Sequence, residues 1–148
     1  MKIRPVTRAD RDEWVRMRTT LYPDSPPEEI DEWLDNSEHG TLLVGVAVFV
    51  IDRGDGRLTG FIEISLRSYA EGCVTTPVAF IEGWYVDPDV RGQGLGAQLV
   101  RTAEDWARGR GLREIASDTT IDNDVSLRAH LALGFDEVVR QICFRKSL

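Results

Sequence analysis

Three glycines and an arginine lie in residues 86–100, VDPDVRGQGLGAQLV, between an apolar stretch and a helical pattern. Gly92, Gly94 and Gly96 have no Cβ, so a ligand can approach their backbone amides closely. These amides would lie at a helix N-terminus, where unpaired N–H groups and the helix dipole favour an anion. Arg91 adds a positive charge. The pattern predicts a phosphate cradle, although a glycine-rich loop alone is also compatible with a simple turn.

Two well-known phosphate-binding loops do not match this stretch. A Walker loop requires Gly-Lys followed by Ser or Thr, and no lysine follows these glycines. The dinucleotide fingerprint has two residues between its second and third glycines, whereas GQGLGA has one. That fingerprint also follows the first strand of a domain, and this loop lies past the middle of the chain. Both loops are therefore set aside.

The patterns on either side of the loop predict the elements that position it. Residues 78–86, VAFIEGWYV, are rich in β-branched and aromatic side chains and predict a strand. The residues after the loop, to about Arg110, carry apolar side chains at helical spacing and predict a helix. Gly109 and Gly111 are expected to end that helix.

The rest of the chain predicts further strands and helices. The predicted strands are residues 1–7, 41–52, 59–68 and 113–119, with one or two closing strands in residues 135–147, and the predicted helices are Arg8–Leu21, a segment within residues 22–36, and residues 123–134. Thr7 is the expected cap of the first helix, with Asp10 three residues on, and Asp24 or Ser25 lies near the start of the second. This order predicts a single α/β (α+β) domain, residues 1–148, around one mixed sheet that is not doubly wound.

Composition narrows the class of protein. The chain has 148 residues, 42% hydrophobic and 29% charged, which fits one compact domain. Its net charge of -7 argues against a nucleic-acid partner and permits a cationic ligand. No apolar stretch is long enough to span a bilayer, and no secretory signal follows Met1. Cys73 and Cys143 have no metal-site spacing, so no metal is expected and a reducing cytoplasm is their simplest setting.

Two motifs together resemble the GNAT superfamily of N-acetyltransferases. The stretch VDPDVRGQGLG is similar to the acyl-CoA loop of that family, whose pattern Arg/Gln-x-x-Gly-x-Gly/Ala is met by Arg91, Gly94 and Gly96. The stretch NDVSLRAHLALGF is similar to the second family signature, an Asn and then a helix ending in Leu-Gly-Phe. Two matches in the proper order are more specific than either alone, and the resemblance covers essentially the whole chain.

The resemblance implies a fold and acetyl-CoA as co-substrate. It implies a mixed, mostly antiparallel central sheet flanked by about four helices. The strand ending at Val86 would splay from the strand at residues 113–119, and acetyl-CoA would enter the gap. Its pantetheine would pair with the strand backbone, and its pyrophosphate would lie on the loop amides. The implied cofactor-binding residues are Trp84, Tyr85, Val86, Arg91, Gly92, Gln93, Gly94, Leu95, Gly96 and Asn123.

This cofactor implies direct attack of a neutral amine on the thioester, with a backbone N–H near Trp84 as donor to the oxyanion. Many family members use a Tyr of the last helix to protonate the leaving thiolate. His130 occupies that position here, either as proton donor or as a hydrogen-bond partner of the cofactor. Glu82 and Asp118 could accept the amine's proton, directly or through water. Alternatively, Glu82 faces solvent or pairs with Arg67, and Asp118 only caps its strand.

Three stretches resemble one subgroup, the aminoglycoside 6′-N-acetyltransferases: MKIRPVTRADRDEWVRMRTTLYPD, RSYAEGCVTTPVAFIEGWYV and REIASDTTIDN. The sugar contacts that this resemblance implies are Tyr22, Tyr69, Glu82, Asp118 and, by a looser match, Asp136. Tyr22 stands where the subgroup has Trp, and Glu137 lies beside Asp136 as an alternative. Aromatic faces and carboxylates together suit a polycationic sugar.

Other functions are compatible with the same residues. The chain could acetylate another cationic amine, namely a polyamine, a peptide N-terminus or lysine. It could also be a non-catalytic acyl-CoA-binding module, or a nucleotide-binding module that takes ATP as well as CoA. Because family members are often dimers, a homodimer is expected, with no nucleic-acid or membrane partner and a cytoplasmic location.

Overall fold

The computed structural model describes residues 1–39 and 45–148, which contain one five-stranded sheet. Its strands are β1 (Lys2–Pro5), β2 (Val46–Asp52), β3 (Leu58–Arg67), β4 (Val78–Val86) and β5 (Ile115–Ser117). The helices are α1 (Arg11–Leu21), α2 (Glu28–His39), α3 (Leu95–Gly109) and α4 (Asp124–Ala132), with 3-10 turns at Arg8–Asp10 and Pro88–Val90. Within the described ranges, no helix has both the length and the apolar character needed to cross a membrane.

The five strands lie side by side in chain order, and only the last pair is parallel. A short turn that contains Asp-Gly joins β2 to β3, and both of its glycines, Gly54 and Gly56, have positive φ. Helix α3 makes the crossover from β4 to β5, because parallel neighbours need a long connection. The predicted mixed, mostly antiparallel sheet is therefore confirmed.

A β-bulge interrupts the pairing of β3 with β4. Glu63 lies opposite Gly83, but the next residue of β3, Ile64, lies opposite Ile81. Glu82 is therefore an extra residue in β4. Such an insertion bends the strand and redirects the side chains around it.

Apolar side chains on the two faces of the sheet hold helices on opposite sides. One layer packs the sheet against α3 and includes Ile51, Ile62, Ile64, Ile81, Leu99 and Ala103. The other packs it against α1 and α2 and includes Trp14, Met17, Ile30, Leu34, Phe61 and Tyr85. Because both faces are covered, β3 reads as a nearly continuous buried strand rather than an alternating one.

The residues predicted at the starts of the first two helices make different hydrogen bonds in the structure. The Asp10 carboxylate accepts the backbone N–H of Thr7 at 2.8 Å, so these two residues do mark the first helical turn. Asp24 and Ser25 lie just before the second helix, as predicted, but Ser25 does not cap it. The Ser25 hydroxyl donates to the Glu29 carboxylate at 2.8 Å instead of accepting a helix N–H, and α2 begins only at Glu28.

Three strand predictions differ from the structure or extend beyond it. The closing strands predicted in residues 135–147 are wrong, since that segment contains no strand and is mostly exposed. The predicted strand at residues 113–119 is shortened to β5, three residues long. Residues 41–44 of the strand predicted at 41–52 lie outside the described residues. Apolar alternation forms a strand only where a neighbour can pair with it.

Candidate active site

A gap opens between β4 and β5 directly beside the bulge. The two strands pair only from Ala79 opposite Ile115 to Ile81 opposite Ser117. Beyond this point, residues 82–86 of β4 have no partner in β5. A strand edge of this kind offers N–H and C=O groups to an extended ligand. The predicted splay is confirmed, and it begins at Glu82.

The glycine loop closes one end of this gap. Gly92 and Gly94 have φ of 76° and 78°, a left-handed conformation that favours glycine. Gly94 directly precedes the first residue of α3, and a Cβ on either glycine would meet nothing within 4 Å. The loop is therefore open on that side, with helix N-terminal amides available to an anion.

Gly96, the third glycine of the loop, is required for packing rather than for a left-handed backbone. A Cβ on Gly96 would lie 3.2 Å from the ring of Trp84, so the missing side chain allows α3 to approach β4 closely. The Leu95 side chain is buried in the core beside α3. Arg91 donates from Nε to the Val86 carbonyl at 2.8 Å and thereby holds a positive charge where the loop leaves β4.

A cavity of about 400 Å³ lies next to the gap, under the C-terminal segment. Four of the predicted site residues line it: Tyr69, Asp118, His130 and Asp136. Arg67 and Phe80 form part of its wall, and the guanidinium carbon of Arg67 lies 3.5 Å from the centre of the Phe80 ring. The glycine loop and Trp84 do not line this cavity, so the predicted residues form two adjoining regions rather than one pocket.

Glu82 is held by an ion pair at the boundary between these regions. Its carboxylate accepts two hydrogen bonds from Arg67, both at 2.8 Å, and one from the Ser65 hydroxyl at 2.6 Å. The alternative of a pair with Arg67 is therefore observed. The charge of Glu82 is balanced within the protein, and its catalytic role stays a prediction.

Asp118 and Tyr22 are near one another, since the charge of Asp118 contributes to the raised pKa of Tyr22. Asp118 immediately follows β5 and is exposed in the cavity. The Tyr22 hydroxyl donates to the backbone carbonyl of Glu82 at 2.5 Å. Burial raises the pKa of Tyr22 to about 12, and the negative charges of Glu63, Asp118 and Glu82 add to the rise. The sugar contacts implied by the sequence are thus close enough to influence one another.

His130 spans the mouth of the gap from α4. Its Nδ1 lies 2.7 Å from the Ser126 carbonyl, which can only accept, so Nδ1 carries a hydrogen. Its Nε2 lies 2.9 Å from the Ser117 hydroxyl at the end of β5, and its ring meets Trp84 edge-on at 5.4 Å between centroids. The sequence did not identify Ser117, because a lone serine in a strand carries no signal.

The remaining predicted residues have local partners. The Asn123 side chain accepts the Ser126 N–H at 3.0 Å and caps α4. The Tyr69 hydroxyl donates to Glu71 at 3.0 Å, and most of the ring is exposed. Glu137 pairs with Arg140, whereas Asp136, which also lines the cavity, has no ion pair with any residue that the structure describes. Within the described residues, no group of three or more His, Cys, Asp or Glu side chains is placed to hold a metal.

The Arg67–Glu82 pair was one of the alternatives that the sequence offered, but another cluster at this site was not predicted. This cluster is a buried pair formed by Arg18 and Glu63 behind the bulge. Glu63 did carry a signal, since a carboxylate within the apolar run of β3 must find a partner when buried. The identity of that partner depends on the packing of α1 on the sheet, which no local pattern encodes.

Comparison with known proteins places the chain in one family. The model of the acetyltransferase (GNAT) family matches residues 8–135. The aminoglycoside N(6′)-acetyltransferase type 1 of Klebsiella aerogenes is 47% identical over 146 residues, which are 99% of this chain and 96% of the relative.

Solved structures agree with this assignment. AAC(6′)-Iy in complex with the bisubstrate analogue CoA-S-monomethyl-acetylneamine superposes with a TM-score of 0.86 and 34% identity, covering 99% of this chain and 98% of the other. The aminoglycoside antibiotic 6′-N-acetyltransferase AAC(6′)-IG of Acinetobacter haemolyticus gives 0.85 and 32%, covering 100% and 99%. With the splayed sheet, the glycine loop and the match of residues 8–135, the chain belongs to the GNAT acetyltransferase family.

Proposed function

We propose that this protein is an acetyl-CoA-dependent N-acetyltransferase that acetylates the 6′-amine of aminoglycoside antibiotics. The observation that carries the proposal is the gap between β4 and β5, with an open glycine loop at one end and carboxylates at the other. Relatives named for this activity cover almost the whole chain at up to 47% identity. Acetylation of such a drug would make the protein an antibiotic-resistance enzyme.

The residues of the gap fit acetyl-CoA. The free edge of β4 from Trp84 to Val86 can pair with the amide groups of an extended pantetheine. The open loop from Arg91 to Gly96 presents amides and one guanidinium to a diphosphate. When bound, acetyl-CoA supplies the activated acetyl group as a thioester. Asn123 caps the N-terminus of α4.

An acceptor site is defined here by Tyr22, Tyr69, Glu82, Asp118 and Asp136. Asp118 presents an exposed carboxylate to the cavity and is the group best placed to attract an ammonium. The Tyr22 and Tyr69 rings provide flat faces for sugar rings. The net charge of -7 favours approach of a polycation over long range. These features favour a cationic, sugar-like acceptor over a neutral one.

The reaction requires one group that accepts a proton and one group that donates a proton. The amine must lose a proton, and Asp118 can take it directly or through water, whereas Glu82 is already engaged by Arg67. The leaving thiolate must gain a proton. As an imidazolium, with a hydrogen on each ring nitrogen, His130 can supply it from Nε2, which faces the Ser117 hydroxyl at the end of β5. A backbone N–H near Trp84 is the proposed donor to the oxyanion.

We also propose a cytoplasmic homodimer. Five apolar side chains of the C-terminal segment are largely exposed: Val138, Val139, Ile142, Phe144 and Leu148. Beside them, β5 is hydrogen-bonded to β4 alone among the described strands. A second copy of the chain could cover these side chains and pair with strand groups left open here. The free thiols of Cys73 and Cys143 suit a reducing compartment.

The experiment that tests the function measures thiol release from acetyl-CoA with matched aminoglycosides. Compounds with a 6′-amine should release CoA, and the analogue with a 6′-hydroxyl should not. Equal turnover of both would place acetylation on another amine. Turnover of polyamines or peptides alone would replace the aminoglycoside assignment, and tight CoA binding without any turnover would leave a non-catalytic binding module.

A further inference from the structure

One buried carboxylate borders the acceptor site without belonging to it. Glu63 is fully buried, and its Oε1 accepts hydrogen bonds from Trp14 Nε1 at 3.0 Å and Arg18 Nε at 2.9 Å. Its other oxygen, Oε2, is buried with no hydrogen-bond partner in the part of the chain that the structure describes. Burying a carboxylate with an unused oxygen costs free energy, so stability alone gives no reason for this arrangement.

The unused oxygen lies against the bulge of β4. Glu63 is directly opposite Gly83, and a Cβ on Gly83 would lie 2.8 Å from Oε2. A side chain at position 83 would therefore have to displace this carboxyl group. The position of Glu63 and the path of the bulge, where Glu82 is the extra residue, are therefore linked.

Arg18 extends this contact into the helices. Its Nη1 donates to Glu29 at 2.7 Å and to Ser25, while its Nε is committed to Glu63. Its guanidinium carbon lies 5.5 Å from the centre of the Tyr22 ring. A guanidinium has donors in fixed directions, so one side chain sets the relative positions of β3, α2 and the segment between α1 and α2.

Tyr22 links Arg18 back to the bulge of β4. Its hydroxyl donates to the carbonyl of Glu82, which is the bulge residue beside Gly83. The contacts therefore run from Glu63 through Arg18 and Tyr22 back to the bulge. After burial, the Glu63 carboxylate is the strongest influence that raises the pKa of Tyr22, which agrees with this proximity.

We propose that Glu63 and Arg18 are positioning residues of the acceptor site, which fix the Tyr22 hydroxyl against the Glu82 carbonyl and so set where the acceptor meets the bulge. The inference rests on the proposed N-acetyltransferase function. Neither residue needs to touch substrate. Their effect should appear in acceptor kinetics and leave the cofactor gap unchanged, since among the described residues no hydrogen bond or ion pair joins either side chain to the loop at Arg91–Gly96.

Kinetics of Glu63→Gln and Arg18→Lys provide the first test. Both variants should raise the KM of the aminoglycoside by roughly tenfold and leave the KM of acetyl-CoA within about twofold. The matched control is Asp31→Asn, which breaks the Arg11–Asp31 pair between the same two helices, far from Tyr22. The control should change neither KM. Wild-type acceptor KM in both test variants, or parallel changes of both KM values, would overturn the inference.

A double variant shows whether Glu63 acts through Tyr22. Tyr22→Phe removes the hydroxyl, so adding Glu63→Gln to it should raise the acceptor KM little further. Fully multiplicative effects would contradict positioning through Tyr22.

The pH profile adds a readout that a purely structural role would not change. Burial raises the pKa of Glu63 to about 7, and Arg18 partly offsets that rise. The other charged or titratable groups around the pair are Glu29 on α2, Glu82 on β4 and Tyr22. The ratio of acceptor KM values, Glu63→Gln over wild type, should be greatest above about pH 8 and approach one below about pH 6. The acceptor's own titration is common to both proteins, and a ratio that is constant with pH counts against the proposal.

An alkaline absorbance titration separates this inference from the proposed function. Tyr22 is identified by subtracting the Tyr22→Phe spectrum, and its pKa should fall from about 12 when Glu63→Gln removes the nearby charge. A wild-type protein inactive on every amine would defeat the proposed function. In that case an unchanged Tyr22 titration would also defeat the link between Glu63 and Tyr22, and a lowered pKa would uphold it.

Discussion

Two carboxylates of the proposed acceptor site differ in what holds them. Glu82 is fixed by Arg67 and Ser65, whereas Asp118 is exposed in the cavity. A substrate ammonium gains more from a carboxylate whose charge is not already balanced. Asp118 is therefore the better candidate for binding the acceptor.

Asp118→Asn should raise the acceptor KM by roughly tenfold to a hundredfold, because one charge-assisted hydrogen bond is lost. The value of kcat should fall as well, because Asp118 is the proposed acceptor of the amine's proton, whereas the KM of acetyl-CoA should change little. Steady-state kinetics with both substrates provide the measurement. Asp105→Asn, which removes an exposed carboxylate of α3 paired with Arg108, is the control. An unchanged acceptor KM in Asp118→Asn would remove Asp118 from the site.

The buried carboxyl of Glu63 predicts a specific dependence of stability on pH. Burial raises its pKa from about 4.5 to about 7, so between these values the folded protein holds a proton that the unfolded chain has lost. Stability from this group therefore falls as pH rises through that window, by about 3 kcal/mol in total. In urea unfolding, the free energy of unfolding of Glu63→Gln should increase relative to that of the wild type as pH rises from about 4 to about 8. A stability difference that is constant over this range would contradict the shifted pKa.

At the scale of elements, α3 is flanked on each side by a glycine with positive φ. Gly94 precedes its first residue with φ of 78°, and Gly111 follows its end with φ of 73°. A Cβ on either would enter open space. The two ends therefore differ mainly in function, since only the N-terminal one adjoins the gap.

Alanine at these two positions separates strain from ligand binding. Gly94→Ala and Gly111→Ala should each destabilise the fold by about 1–2 kcal/mol, because alanine is disfavoured at positive φ. Only Gly94→Ala should weaken acetyl-CoA binding, through a methyl group on the anion-binding loop. Thermal unfolding and calorimetric titration provide the two readouts. Equal affinity in both variants would argue against the loop as the diphosphate site.

At the scale of the whole molecule, the C-terminal segment is the part that the single chain leaves uncovered. Ile142 is 82% exposed and Phe144 is 93% exposed, in a segment that follows the last helix. Exposed large apolar side chains in one continuous segment favour a partner surface. The proposed partner is a second copy of the chain.

Charge on this surface should separate the two copies. Ile142→Asp and Phe144→Asp should shift the protein from dimer to monomer in analytical ultracentrifugation, because a carboxylate is costly in an apolar interface. Val74→Asp is the control, since Val74 is equally exposed in the loop between β3 and β4. A wild-type chain that sediments as a monomer at micromolar concentration would refute the dimer.

Local patterns in the sequence determined most of the elements and one of the two binding regions. The bounds predicted for β4, residues 78–86, are those of the structure, because a run of β-branched and aromatic residues ended by Asp-Pro has one favourable conformation. The glycine loop could also be predicted from the sequence, since positive φ and a helix start both impose local requirements on residue type. The same reasoning failed for residues 135–147, whose apolar residues have no strand to pair with.

Only the tertiary structure decided how the charged groups are divided between binding and support. Arg67 neutralises Glu82 from 15 residues away, and Arg18 reaches Glu63 across 45. His130 meets Ser117 only because α4 folds over the end of β5. These partners are chosen by packing over long sequence separations, where the cost of burying a charge selects whichever partner the fold brings within reach. Residue types identify which carboxylates are candidates for a site. The three-dimensional arrangement determines which of them is not paired within the protein and can bind the substrate.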